Sequence, residues 1–267
     1  MNAHDIEYKL YGDDLQFVEI ELDPGEAVMA EAGAMMYMDT HVQLETLFGD
    51  GSDKGGAGLM GKLVGAGKRA MVGESLFMTQ FTNGGSFPQR VAFAAAYPGK
   101  IVPIDLREHG GKLIAQKDAY LCSAKGISIG IAFQRKIGVG FFGGEGFIMQ
   151  KLEGDGLAFL HAGGTIIKRE LESGEMIRLD TGCLVALTDS VRYEIEMVKG
   201  VKSALFGGEG LFFATLHGPG TVWMQSLPFS RLADRVLASA RAHGGKSTGE
   251  GSALDILGGL GNLLDGK

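Results

Sequence analysis

The segment Phe142-Gly143-Gly144-Glu145-Gly146 recurs unchanged at Phe206-Gly207-Gly208-Glu209-Gly210, and a looser copy stands at Gly73-Glu74-Ser75-Leu76-Phe77. A chain that repeats itself folds as repeated units, so this periodicity constrains the architecture before any local pattern does. Earlier landmarks keep the same rhythm: Leu22-Asp23-Pro24-Gly25-Glu26, Glu108-His109-Gly110-Gly111 and Leu171-Glu172-Ser173-Gly174-Glu175, followed by Gly33, Asp118 and Gly182. Gly110 and Gly174, Asp118 and Gly182, and Glu145 and Glu209 are each 64 residues apart. Gly25 and Gly110 are 85 apart, but Glu74 and Glu145 only 71, so the first copy holds 14 extra residues between positions 33 and 74. Residues 49–68, GDGSDKGGAGLMGKLVGAGK, are glycine-rich and show no strand pattern, the composition of a long surface loop.

Within each copy the local signal is β. Residues 15–22 alternate apolar and polar, the period of a half-buried strand. Residues 28–38, 91–97, 166–171, 176–179 and 184–188 read as further strands, and 76–81, 147–152 and 211–216 are matching ones. Each of these last three runs into glycine: Gly84-Gly85, Gly154-Asp155-Gly156 and Gly218-Pro219-Gly220. Short strands separated by such turns predict an all-β sandwich or barrel. The expected organisation is a triplicated β domain over residues 1–227, with units at about 5–90, 91–156 and 157–227 exchanging strands at their boundaries. A helix over 228–243 follows, with Ser230 as N-cap, Leu232, Val236, Leu237 and Ala240 on one face, and Gly244-Gly245 as its stop. Residues 244–267 read as a flexible linker and a short apolar tail.

Composition narrows the function classes. The net charge of −7 is mixed along 267 residues without a basic run, which argues against nucleic-acid binding. The opening residues, Met1 to Leu10, lack the apolar stretch of a secretory signal. No apolar run approaches the roughly 18–20 residues that span a bilayer. Cys122 and Cys183 fall at non-equivalent repeat positions, as buried free thiols of a reducing compartment would. The expectation is a cytoplasmic protein.

Motifs with chemistry are few. Gly56-Ala57-Gly58-Leu59-Met60-Gly61-Lys62-Leu63 fits a phosphate-loop spacing up to the lysine, but Leu63 stands where a magnesium-binding hydroxyl is needed and no βαβ context surrounds it. Glu74, Glu145 and Glu209 are the most pointed polar feature. One reading is a cation-binding cluster; the favoured one is three structural carboxylates, each locking its own turn. Catalysis breaks internal symmetry, because an acid and a base need different environments. The histidines His4, His41, His109, His161, His217 and His243 show no metal-ligand pairing, and no nucleophile elbow occurs. No catalytic, cofactor-binding or metal-ligating residue is assigned, and no cofactor is expected. On a strand, Met36 and Met38 point one way while Met35 and Tyr37 point the other, so burial of both sets requires a second sheet or a second subunit.

The triplicated Gly-Glu with its following strand, Pro24-Gly25-Glu26, Gly33-Ala34-Met35 and Trp223 together resemble a prokaryotic family related to the mitochondrial biogenesis proteins named "altered inheritance of mitochondria 24", over residues 5–227. The resemblance implies a fold like the tryptophan RNA-binding attenuation protein: three β units in a pseudo-threefold double-stranded β-helix or sandwich. It also implies self-association, with a trimer favoured, and carries no established enzymatic activity. The attenuation protein's RNA- and tryptophan-binding residues are not recognisable here. The leading expectation is therefore a non-enzymatic protein acting by self-assembly or protein interaction. Two alternatives stand beside it: a small-molecule or metal-binding enzyme with a pocket between β units, and a peripheral membrane organiser using residues 254–264.

Overall fold

A computed structural model describes residues 2–31, 33–48, 77–135, 147–197 and 212–243. The described residues are mostly β-strand, with short 3-10 turns and one α-helix at their C-terminal end. After β1 (Glu7–Tyr11) come β2 (Phe17–Leu22), β3 (Ala27–Glu31), β4 (Met35–Met38), β5 (Val42–Phe48), β6 (Phe77–Asn83) and β7 (Gln89–Ala94). A second six follow: β8 (Gly99–Asp105), β9 (Lys112–Gln116), β10 (Tyr120–Ala124), β11 (Ser128–Arg135), β12 (Phe147–Glu153) and β13 (Leu157–Gly163). The last six are β14 (Ile166–Leu171), β15 (Met176–Asp180), β16 (Leu184–Thr188), β17 (Arg192–Met197), β18 (Phe212–His217) and β19 (Gly220–Gln225).

In each run of six the same four antiparallel pairs form: first strand with sixth, third with sixth, second with fifth, fourth with fifth. Runs are joined where the third strand of one pairs with the second strand of the run before it, β10 with β3 and β16 with β9. The result is two six-stranded sheets, β5-β6-β3-β10-β13-β8 and β11-β12-β9-β16-β19-β14. The remaining strands form a four-stranded sheet, β1-β2-β7-β4, and a three-stranded sheet, β15-β18-β17.

Local chemistry explains the elements. Along β2, Val18, Ile20 and Leu22 are fully buried while Phe17, Glu19 and Glu21 are half-buried. Each buried aliphatic contributes about 1.5–3 kcal/mol relative to an exposed one. One core gathers Ile20, Leu22, Phe93, Leu113 and Phe159; a second gathers Phe147, Met149, Leu187 and Leu216. The first-to-second-strand turns use Gly25, Gly110 and Gly174 at φ +87°, +70° and +84°, where a side chain would strain the backbone. Beside two of these turns a glutamate accepts a backbone N–H: Asp23 N to Glu26 Oε2 at 2.9 Å, and Glu172 N to Glu175 Oε2 at 3.0 Å. Gly111 holds the corresponding position in the second run.

Two expectations are corrected. Residues 28–38 are two strands, because the backbone turns at Gly33 (φ +88°) and passes from β3 into a different sheet at β4. The helix α1 (Phe229–His243) begins one residue before Ser230, so Ser230 lies inside it and is not the N-cap. The loop expected at 49–68, the phosphate-loop-like segment within it and the tail at 244–267 lie outside the described residues.

Candidate functional site

Glu74, Glu145 and Glu209 lie outside the described residues, in the segments that connect the fourth and fifth strands of each run. Three other places have a distinctive geometry.

A groove of about 360 Å³ runs between β8, β14 and β19 and is lined by Ile104, Glu108, His109, Lys168 and Trp223 among others. The His109 ring meets Trp223 edge-on with centroids 5.2 Å apart, and the Lys168 ammonium stands 5.5 Å from the indole centre. Asp105 at its rim is held by Arg107, whose Nη2 donates to Oδ2 at 2.7 Å. That bond keeps the carboxyl below its ordinary range. The groove offers a flat aromatic and cationic surface; no nucleophile sits beside a base there.

A second place is the surroundings of a buried histidine. His161 on β13 is 4% exposed and its Nε2 has no hydrogen-bond partner. Its ring lies 4.3 Å from Tyr97, which in turn contacts Phe229 at 5.2 Å. Burial pulls His161 below its usual value, so it stands neutral. Burial, reinforced by Asp118, pushes the Tyr97 hydroxyl up to about 12. The same aspartate adds to the burial that raises Glu31 to about 6, against an opposing pull from Lys117. Among the described residues no group of three or more His, Cys, Asp or Glu side chains could hold a metal ion.

The third place is a pair of open sheet edges. β4 ends the four-stranded sheet, and its Met35, Met36, Tyr37 and Met38 are 38%, 54%, 37% and 38% exposed. The corresponding strands β10 and β16 are buried throughout except for half-buried Thr188. Neither Met36 and Met38 nor Met35 and Tyr37 is buried, and the register skips between Met35 and Tyr37. Behind the edge, Tyr37 donates to Glu19, which raises the phenol to about 12; Tyr11 donates to the other Glu19 oxygen at 3.2 Å, and Arg90 pairs with Glu21 at 3.0 Å. β15 ends the three-stranded sheet, with Met176 52% exposed and no residue fully buried, whereas its counterparts β3 and β9 are buried at four of five positions. An unpaired edge presents free backbone donors and acceptors to any strand that fits. Sequence patterning singled out Met35–Met38 as a strand in need of a second sheet or a second subunit but did not place it at a sheet edge, because the run reads the same whether a partner strand lies beside it or not.

The family model described as mitochondrial biogenesis AIM24 matches residues 8–227. The chain is 34% identical over 220 residues to an uncharacterised protein of Streptococcus pyogenes serotype M6, covering 81% of this chain and 83% of that protein. The X-ray crystal structure of a Streptococcus pyogenes protein superposes with a TM-score of 0.67 at 27% identity, over 88% of this chain and 99% of that one.

Proposed function

We propose, from the premise that this chain belongs to the mitochondrial biogenesis AIM24 family, that it is a non-enzymatic protein acting through self-assembly and protein interaction. The observation that carries the reading is the β4 edge, four consecutive exposed Met and Tyr residues where β10 and β16 are buried. A contiguous apolar edge in water marks an interaction surface.

The scaffold behind it is three tandem β units in a pseudo-threefold arrangement whose third junction, β15 with β4, is left open within the chain. Support comes from the fourfold pairing pattern shared by the three runs and from matching registers. Val28 opposite Phe81 corresponds to Leu113 opposite Leu152 and to Ile177 opposite Leu216. A non-catalytic role is supported by how the polar groups near the groove are used: Asp105 is engaged by Arg107, and Lys168 lies over Trp223. The buried, reduced thiol of Cys122 favours a reducing, cytoplasmic setting.

Light scattering on the purified full chain tests the reading. The expected mass is a multiple of 28.2 kDa, with three copies the favoured number. A 28.2 kDa particle at every concentration overturns it.

A further inference from the structure

We infer that the two open edges are the two halves of one interface: β4 of one chain adds to β15 of a second copy, antiparallel, with Tyr37 opposite Leu179, Met38 opposite Arg178 and Asp39 opposite Ile177. The inference rests on the self-assembly reading and specifies its surface.

The register is read from the two junctions already formed. At β10–β3, Cys122 faces Ala30, Ser123 faces Met29 and Ala124 faces Val28. At β16–β9, Ala186 faces Ala115, Leu187 faces Ile114 and Thr188 faces Leu113. The third strands are 64 residues apart between these junctions and the second strands 85. These are the repeat spacings of the sequence. Stepping β10 back by 85 residues gives Tyr37 for Cys122, and stepping β9 forward by 64 gives Leu179 for Ala115. An independent marker agrees with this alignment. Each third strand skips one residue against its sixth strand, between Met35 and Tyr37, Tyr120 and Cys122, and Leu184 and Ala186.

Sheet order says what is missing. Both complete sheets run fourth, fifth and second strand of one run, then third, sixth and first strand of the next. The three-stranded sheet β15-β18-β17 is the first half of that order, and β4-β7-β2 is the second half. Among the described residues every other second and third strand has its junction partner, so β4 and β15 are the complementary pair left over. Within this chain they do not pair with each other. The occupant of each edge is therefore the other edge of a second copy. Docking would cover the residues whose exposure departs from that of their counterparts: Met35 to Met38 on one side, and Met176 to Asp180 on the other. The contact is head-to-tail between unlike surfaces, so repetition closes a ring or extends a filament.

The test uses the full chain in a Cys183→Ala background. One preparation carries Met38→Cys and a second carries Arg178→Cys, positions that the register sets directly opposite, within disulfide reach. On mixing and mild oxidation, the expected result is a shift of the non-reducing band from 28.2 kDa to twice that mass, carrying one chain of each kind. A chain bearing Met36→Cys in place of Met38→Cys gives much less of this product. Charging the edge with Met36→Lys and Met38→Lys converts the assembly to monomer while the thermal unfolding midpoint of the β domain is retained. Three results overturn the inference: a multimer that gives no mixed disulfide, crosslinking of Met38→Cys chains chiefly to themselves, or a doubly substituted chain that crosslinks only within itself. In the first two cases the self-assembly reading survives; a monomeric wild type removes both.

Discussion

The Tyr120 hydroxyl on β10 donates to the Met29 carbonyl oxygen on β3 at 3.1 Å, and lies 3.0 Å from Ser123 Oγ. The ring is 3% exposed, so this bond bridges two successive strand runs out of reach of water. Burial drives the phenol well above its ordinary range and keeps it protonated, as a donor must be. Met35 and Leu184 occupy the corresponding positions, so this bond belongs to the first junction alone. Tyr120→Phe is expected to lower stability by about 0.5–1.5 kcal/mol in denaturant unfolding, with an unchanged denaturant slope. Since Phe fills the same space, an unchanged stability would show that the hydroxyl is not the operative group.

Gly25, Gly110 and Gly174 turn the chain at φ +87°, +70° and +84°, and an added methyl at any of the three meets nothing within 4 Å. Alanine there creates no clash, only the backbone cost of a left-handed conformation, about 1–2 kcal/mol. Three separate Gly→Ala variants should therefore lose nearly the same amount in thermal or denaturant melts. A variant that loses nothing would mean that its turn relaxes to another conformation.

These glycines also explain what could be read from the sequence. A backbone that must turn left-handed admits few residues, so Gly25, Gly110 and Gly174 keep a visible spacing. The alternation of residues 17–22 was legible for a similar reason, since burial on one face selects apolar side chains there. Strand partnership across the junctions was not legible. Cys122 opposite Ala30 and Ala186 opposite Ala115 share a register but no residue type except alanine, because small side chains at a buried junction are interchangeable. The edge was half legible for the converse reason: the Met35–Met38 run asked for a second sheet or a second subunit, but methionine suits a buried strand and an interface alike. The three glutamates that stood out in the sequence lie outside the described residues, and the open edges carry the functional argument instead.

Asn83 was legible only as a polar residue before Gly84-Gly85. In the fold it is 1% exposed, and its Nδ2 donates to the carbonyl oxygens of Leu22 and Phe87 at 2.8 Å each. Its Oδ1 accepts from Gly85 N at 2.8 Å. One amide thus ties the end of β2 to the β6–β7 turn. Asn83→Ala strips three bonds and strands the buried Leu22 carbonyl, with an expected loss of about 2–4 kcal/mol. Asn83→Asp keeps the acceptor but loses both donors and buries a charge, so it should be at least as damaging. Chemical denaturation of the two variants decides the matter; tolerance of either one would mean that water replaces the amide.

Glu31 gives the chain a pH signature. Its carboxyl is raised from 4.5 to about 6, first by burial and then by the Asp118 charge, with Lys117 acting the other way. The residue as a whole is exposed at the end of β3, so water screens the charge and the energetic effect is modest. The sign follows from proton binding. Below pH 4.5 both folded and unfolded chains hold the proton; between 4.5 and 6 the folded chain holds it more tightly; above 6 both have released it. Glu31 therefore favours the fold at low pH and withdraws that support as pH rises through this window. Glu31→Gln should flatten the fall in thermal midpoint between pH 4.5 and 6 and leave the variant more stable than wild type above it. Asp118→Asn should shrink the same slope without abolishing it, because burial remains. A variant whose pH profile runs parallel to wild type throughout would assign the slope to other groups.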